Sequence, residues 1–463
     1  MNTIWLPDLT DVTIPKYQAV TAAIRTAVVS GDLKAGEKLP PVREIAYQLG
    51  ITPGTVARAY TRLVDDGVLA AQVGRGTFVA GETKDELPLD VPLMTHIPLG
   101  MADFRGCQVP DVGQGQIISQ ILQKIAKRSM TGYIHYPTPE TDRPTRQAVC
   151  DWVGADHVGP LTADDIVLGN GAQNTVMMAL QSILHGPNPV ILTEELAYPG
   201  VRHAARLLRA RLVGLEMDDD GIRPEALERA LREHGGQVLL TSAEVHSPTT
   251  MRTSHARKVE IASIAKSHRL QIIEDDCHST ARTEIPAYRE MCPELAWYVG
   301  SLTKAVSGAL RFGFAVCPRD TAHKARQVAQ SSFYGVARPV LDIATELMVS
   351  GQAAHIRGMV CEEMERHIKL AVNVLGQWDI KWRPDAPFIW LKLPVGWRAS
   401  RFAIACERQR INVKPADEFA MPDGVAPHAV RLAINSHLGI PALLACLETM
   451  NRMLAHPETD IDA

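Results

Sequence analysis

The chain has 463 residues, 46% of them hydrophobic and 22% charged, and its 48 Lys+Arg and 52 Asp+Glu leave a formal charge of −4. Such a length suits two or three domains with large buried cores, and so even a balance excludes a basic coat for non-specific nucleic-acid binding. No apolar run reaches the length of a membrane span and Met1-Asn2-Thr3 opens no signal peptide, so the expectation is a cytoplasmic protein without a membrane partner. Eight cysteines without a CxxC pair read as reduced thiols, and the 16 histidines show no metal-ligand spacing, so no metal is expected.

Pro15-Lys16-Tyr17 opens a helical pattern with Val20, Ile24, Ala27 and Val28 on one face, and Gly31-Asp32 closes it. After Leu39-Pro40-Pro41, the residues Val42, Ile45, Ala46 and Leu49 repeat at helical spacing as far as Gly50. Thr52 caps a third helix with Pro53 in its first turn; Val56, Tyr60, Leu63 and Val64 form its buried face and Gly67 ends it. Two short helices joined by a tight glycine-containing turn make a helix-turn-helix. Residues 68–73 and 77–79 then read as two strands around Gly74-Arg75-Gly76, a hairpin tip that holds one arginine. Within residues 1–80 there are eight basic and seven acidic residues, so any DNA affinity must come from a local arrangement of arginines and amides, doubled by dimerisation.

Residues 81–96 are polar, carry prolines and have no periodicity, which reads as an interdomain linker. Farther on, Gly169-Asn170-Gly171-Ala172-Gln173-Asn174 leads into the apolar run Val176–Leu184, a small-residue turn whose helix would present free amides to a phosphate. Leu270–Asp276 is an apolar run ending in acids, as a buried parallel strand reaching a site would be. Gly300-Ser301-Leu302-Thr303-Lys304, with Arg311 seven residues later, groups an amine, two hydroxyls and a guanidinium. An amine suits a Schiff base with an aldehyde, and hydroxyls beside an arginine suit a phosphate ester. Pyridoxal 5′-phosphate carries both groups, and Asp275 is the carboxylate chosen to face its pyridine nitrogen.

The N-terminal stretch resembles the winged helix of bacterial GntR regulators through Leu39-Pro40-Pro41-Val42-Arg43-Glu44, Gly50-Ile51-Thr52, Ala59-Tyr60 and Gly74–Val79. The resemblance implies major-groove reading by the helix from Thr52 and a wing tip near a phosphate or the minor groove. It nominates Arg43, Thr52, Thr55, Arg75 and Gly76 for DNA. Pro53 stands where the family often has an arginine; Arg58 reads equally as its replacement or as a solvated helix arginine.

Residues 97–455 resemble fold-type I aminotransferases through the order of the glycine turn, Glu194–Tyr198, His246–Thr249, Glu274–Asp276, Ser301–Lys304, Arg311 and Val430–Leu432. The implied roles are Schiff-base lysine for Lys304 and pyridinium partner for Asp275. Tyr198 would stack on the ring, while Ala172, Gln173, Ser301, Thr303 and Arg311 would hold the phosphate. Tyr136 would reach the phosphate of the neighbouring subunit, and Arg431 would grip the carboxylate of an amino acid. Ser247 occupies the place of the asparagine that contacts the ring hydroxyl, and Thr250 that of a glycine.

The whole chain is thus similar to the MocR subfamily of GntR regulators. The expected architecture is α/β: a winged helix-turn-helix domain at 12–80, a linker at 81–96, and at 97–455 an aminotransferase-like domain with a large mixed-sheet α/β/α part and a small C-terminal part. The resemblance implies a homodimeric, pyridoxal phosphate-dependent transcriptional regulator bound to double-stranded operator DNA and controlled by an amine or amino acid sensed as an external aldimine. The competing reading is a working aminotransferase that carries a DNA-binding domain; Ser247, Thr250 and Cys277 depart from the enzyme pattern and favour the regulator.

Overall fold

The computed structural model describes residues 5–6, 15–34, 36–65, 68–72, 76–79, 98, 100–128, 131–279, 284–422, 424, 426–434 and 438–456. The chain divides into two compact units, Met1–Pro92 and Leu93–Ala463. The expected linker at 81–96, the helix end at Gly67 and the wing arginine Arg75 lie outside the described residues.

In the first unit the helix Lys16–Ser30 ends at Gly31, whose φ of 83° is the left-handed cap that glycine takes without a Cβ penalty. The helices Val42–Gln48 and Pro53–Asp65 follow, then the antiparallel hairpin Leu69–Gln72 with Gly76–Val79, in register from Leu69↔Val79 to Gln72↔Gly76. The segment before the second helix joins that hairpin: Leu39 N–H donates to Thr77 O at 2.8 Å and Val79 N–H to Glu37 O at 2.7 Å. Val20, Ile24, Ala27, Leu39, Ile45, Val56, Tyr60, Leu63, Leu69 and Val79 form one core, which is where the apolar spacing directed them.

In the second unit seven strands make one sheet, in the order Ile166–Gly169, Gly313–Val316, Ala296–Ser301, Gln271–Asp275, Val238–Thr241, Val190–Glu194 and Arg211–Leu215. Six run parallel and Gly313–Val316 runs against both its neighbours. Such strands are apolar throughout because both faces are covered, and alternate residues enter different cores: Ile166 and Leu168 join one cluster, Val167 another. The crevice outside the C-terminal ends of the strands receives Gly171, Asp275 and Ser301 from their sequence positions, the place where open α/β sheets bind ligands. A smaller antiparallel sheet, ordered Ile380–Lys381, Phe388–Lys392, Ala429–Ala433 and Lys414–Pro415, packs with the helices Gln352–Leu375 and Ile440–Ala455 around Ile368, Ile389, Val430, Leu432 and Leu447.

Candidate functional site

In the first unit Arg43 is exposed in the first turn of Val42–Gln48. Thr52 caps the next helix by accepting Thr55 N–H at 3.3 Å, and the two hydroxyls meet at 2.8 Å. Arg58 is exposed on the same helix, with its guanidinium 4.1 Å from the centroid of Tyr17, a cation–π contact that holds it against the first helix. Gly76 has φ 114°, a conformation that residues with a Cβ resist, and the flexible end of Lys38 lies over it, Cε 2.8 Å from where a Cβ would stand.

The larger site begins at Gly171. This residue caps the helix Ala172–Ile183 without a side-chain hydrogen bond, leaving the first-turn amides of Ala172 and Gln173 to face the crevice. Arg311, in a left-handed conformation with φ 48°, lies over the same turn: a Cβ on Gly171 would meet its Nη2 at 2.9 Å. Gly313 permits this closeness, because a Cβ there would strike the Gly171 carbonyl carbon at 2.5 Å. Ser301 Oγ accepts Thr303 N–H at 3.3 Å, whereas Thr303 Oγ1 is buried without a hydrogen-bond partner. An orphaned hydroxyl beside free helix amides and a guanidinium is a donor set of the kind a phosphate satisfies.

Lys304 Nζ donates to the carbonyl oxygen of Cys107. Three consecutive acids end the strand Gln271–Asp275, and alternation separates them. Glu274 pairs with Lys258 at 2.7 Å and accepts Tyr288 N–H at 2.7 Å; Asp276 accepts the Tyr298 hydroxyl at 2.7 Å. Asp275, on the other side, has no cation partner among the described residues and accepts Cys277 N–H at 3.2 Å, with the Cys277 thiol as a second donor. Burial raises its pKa, against the lowering effect of the Cys277 hydrogen bonds, and a cation placed beside it would favour the carboxylate. Tyr198 lies close enough for the charges of Cys277 and Asp275 to add to burial in pushing its phenol up to about 12. Gln173 uses its side-chain amide on Gly200 O at 3.0 Å, beside Tyr198, and leaves its backbone amide for a phosphate. An amine, an unpaired carboxylate, an aromatic ring and a phosphate cradle together fit pyridoxal phosphate.

Arg431 sits on Ala429–Ala433 with 4% of its surface exposed. Its Nη1 donates to Ser247 Oγ at 3.0 Å, its Nη2 to Arg105 O, and its Nε is buried without a partner. The rings of Phe388 and Phe419 flank the guanidinium at 5.1 and 5.0 Å. His278 is held neutral by burial and by the nearby charges of Lys304 and Arg431. His246 donates from Nε2 to Leu196 O at 2.8 Å and accepts the Thr249 hydroxyl at Nδ1, 2.7 Å away. Thr250 stands with φ 63° where the aminotransferase pattern has glycine. Tyr136 is 76% exposed, its ring 5.6 Å from that of Tyr334, and it takes no part in the site of its own chain described here.

A family model for gntR bacterial regulatory proteins matches residues 16–79, and one for class I and II aminotransferases matches residues 108–438. The chain belongs to the class I and II aminotransferase family through its larger unit. With the gntR domain before it, it is a MocR-type GntR regulator. It is 24% identical to the HTH-type transcriptional regulator YdeF of Bacillus subtilis (strain 168), covering 97% of this chain and 96% of that one. It is 23% identical to the probable rhizopine catabolism regulatory protein MocR of Rhizobium meliloti over 80% of this chain and 79% of that one. It is 25% identical to the vitamin B6 salvage pathway transcriptional repressor PtsJ of Salmonella typhimurium, covering 83% and 86%. Among solved structures, kynurenine aminotransferase from Pyrococcus horikoshii superposes with a TM-score of 0.69 at 18% identity, covering 77% of this chain and 91% of that one, which shows the fold.

In this MocR-type chain the structure adds residues that spacing did not mark. Cys107 contributes only a backbone oxygen, for which a sequence holds no signal. Lys414 is 8% exposed and lies directly across the strand pair from Arg431. The alternation of Ile411 and Val413, both buried, would have put Lys414 on the opposite face from that core, but nothing in the sequence shows what that face meets. Arg105 joins Glu418 at 2.6 Å and so ties the start of the unit to the same corner.

Proposed function

We propose that this chain is a transcriptional regulator whose first unit binds operator DNA and whose second unit binds pyridoxal phosphate and senses a small amine or amino acid. The observation that carries the reading is the buried Arg431, without a carboxylate partner among the described residues, in the same crevice as Lys304 and Asp275, in a chain that also has a winged helix. The cofactor, when bound, supplies an aldehyde that an amine can hold covalently. Ala172, Gln173, Ser301, Thr303 and Arg311 would hold its phosphate, Asp275 its ring nitrogen, and Tyr198 and Ser247 would border the ring. Lys304 would be the amine that holds the aldehyde, and a free amine would compete with it for that position. Arg431 receives the acid group of that ligand, a charge-assisted contact of roughly 1.5–3 kcal/mol. A ligand shifts DNA binding only through different affinities for two conformations, and release of Lys304 with engagement of Arg431 supplies that difference.

The exposed Tyr136 supports a homodimer in which each subunit completes the phosphate site of the other; a paired operator follows from such a dimer. Arg43, Thr52, Thr55, Arg75 and Gly76 are the proposed DNA contacts, with Arg58 engaged on Tyr17. The second reading, a working aminotransferase, has Lys304, Asp275 and Arg431 in its favour. Against it stands Ser247 in place of the asparagine of the aminotransferase pattern: its Oγ accepts from Arg431, and a single O–H replaces the amide donor toward a ring oxygen.

The test is a set of three variants measured for cofactor absorbance, operator binding and the response of operator binding to a panel of amines and amino acids. Lys304→Ala loses the visible band and the response. Arg431→Ala keeps colour and DNA binding but loses the response to acidic ligands. Arg43→Ala loses DNA binding and keeps the colour. A wild-type protein that stays colourless with added cofactor rejects the reading, and steady turnover of an amino-acid and keto-acid pair replaces it with the enzyme.

A further inference from the structure

Arg431 has a second buried cation beside it on its face of the small sheet. Lys414 is its register partner on the neighbouring antiparallel strand, and side chains of directly opposed residues share a face. The two charged groups stand at the same ring: Lys414 Nζ and Arg431 Cζ are each 5.0 Å from the centroid of Phe419.

Neither cation has a close carboxylate among the described residues. Arg431 is 4% exposed, makes no ion pair among the described residues and leaves Nε buried without a partner. Lys414 is 8% exposed, makes no hydrogen bond among the described residues and has a single long ion pair, 3.8 Å to Glu418. Glu418 is already engaged by Arg105 at 2.6 Å, and its backbone oxygen accepts from Arg202 at 2.5 Å. Two buried cations that share a ring, one without a carboxylate and the other with only a distant one, are costly unless an anion joins them.

We propose that Lys414 forms with Arg431 a paired anion subsite, so that the ligand sensed here is an amino acid carrying two acid groups. This rests on the sensing reading above, in which Arg431 takes one carboxylate; Lys414 takes the second carboxylate, or a sulfonate or phosphonate in its position. Phe419 and Phe388 lie against Arg431, so the methylenes between the acids would meet apolar surface while both charges meet cations.

The experiment titrates the cofactor-loaded full chain with L-glutamate, L-aspartate and the monocarboxylate L-norvaline, read by cofactor absorbance and by calorimetry. At least one acidic amino acid binds tighter than norvaline by on the order of 10- to 100-fold, the size of one charge-assisted contact. In Lys414→Met that ratio falls toward one, and Lys414→Arg restores most of it; thermal melting and retained colour show that both variants are folded. Should Lys414→Met fail to fold, Lys414→Gln carries the same comparison. A wild-type ratio near one, with norvaline still perturbing the spectrum, overturns the paired subsite and leaves the sensing reading intact. A ratio unchanged in the folded neutral variant overturns it as well. If none of the amino acids perturbs absorbance or gives heat, the sensing reading itself falls and the subsite with it.

Discussion

Lys258 and Glu274 meet at 2.7 Å behind the site, with 0% and 2% of their side chains exposed. The pair anchors the strand that ends at Asp275, since Glu274 also accepts Tyr288 N–H and Lys258 donates to Pro286 O at 3.1 Å. Removing one member leaves the other as an uncompensated buried charge. Lys258→Met is therefore expected to destabilise the larger unit by about 3–5 kcal/mol. Lys258→Met with Glu274→Gln, which keeps an acceptor for Tyr288, recovers most of that loss. Denaturant midpoints followed by tryptophan fluorescence check both, and equal midpoints for the single and double variants refute the account.

Gly171→Ala is expected to weaken cofactor binding by roughly 10- to 100-fold, the loss of one charge-assisted contact. Two causes act together: the added Cβ meets Arg311 Nη2 at 2.9 Å, and φ 85° with ψ 166° is a conformation that non-glycine residues resist. Titration of the apoprotein with the cofactor, followed by absorbance, measures the change. Undiminished affinity would show that Arg311 holds no phosphate.

Arg43→Ala is expected to reduce operator affinity more than Arg58→Ala does. Arg43 is exposed with no partner among the described residues, whereas Arg58 is held on Tyr17 at 4.1 Å. If Arg43 touches a phosphate, the slope of log K against log salt falls by about one; if it touches a base edge, the loss is about 1–3 kcal/mol and depends on sequence. Fluorescence anisotropy at several salt concentrations separates the two, and a larger effect at Arg58 reverses the ranking.

The glutamate-to-norvaline affinity ratio should fall as pH rises through about 8. Burial, with the like charges of Arg431 and Arg105, lowers the Lys414 ammonium to about 8; Glu418 opposes the shift, and Cys107 also faces the group. His203 stands close enough to feel its charge. Below that pH Lys414 is charged in the free protein and the second acid is bound in full. Above it, binding the diacid must first protonate Lys414, so the ratio drops by up to about tenfold per pH unit until the pKa of the bound state is reached. Taking the ratio cancels the titrations common to both ligands. A ratio flat between pH 7 and about 9 removes Lys414 from the site.

Much of this protein could be read from the chain. The helices of the first unit follow from Val20, Ile24, Ile45, Val56 and Leu63 at helical spacing and from the caps at Gly31 and Thr52, because local backbone and burial preferences agree there. The strand ending in Glu274-Asp275-Asp276 and the glycine turn at 169–171 were legible for the same reason: apolar runs with breakers at their ends are local signals. The order of Lys304, Arg311 and Arg431 along the chain pointed to one cofactor before any contact was known.

Only the tertiary structure decided what each polar group faces. Three adjacent acids look alike in sequence, yet strand alternation gives Glu274 to Lys258, Asp276 to Tyr298, and leaves Asp275 for the crevice. That Arg58 lies against Tyr17, from the first helix, is likewise not written in its spacing. Lys414 carried no signal at all, since its meaning depends on a register with Arg431, 17 residues away, and on a ring they share. Local pattern fixes which residues are buried; which charges meet is a property of strand pairing between distant segments, and spacing along the chain does not encode it.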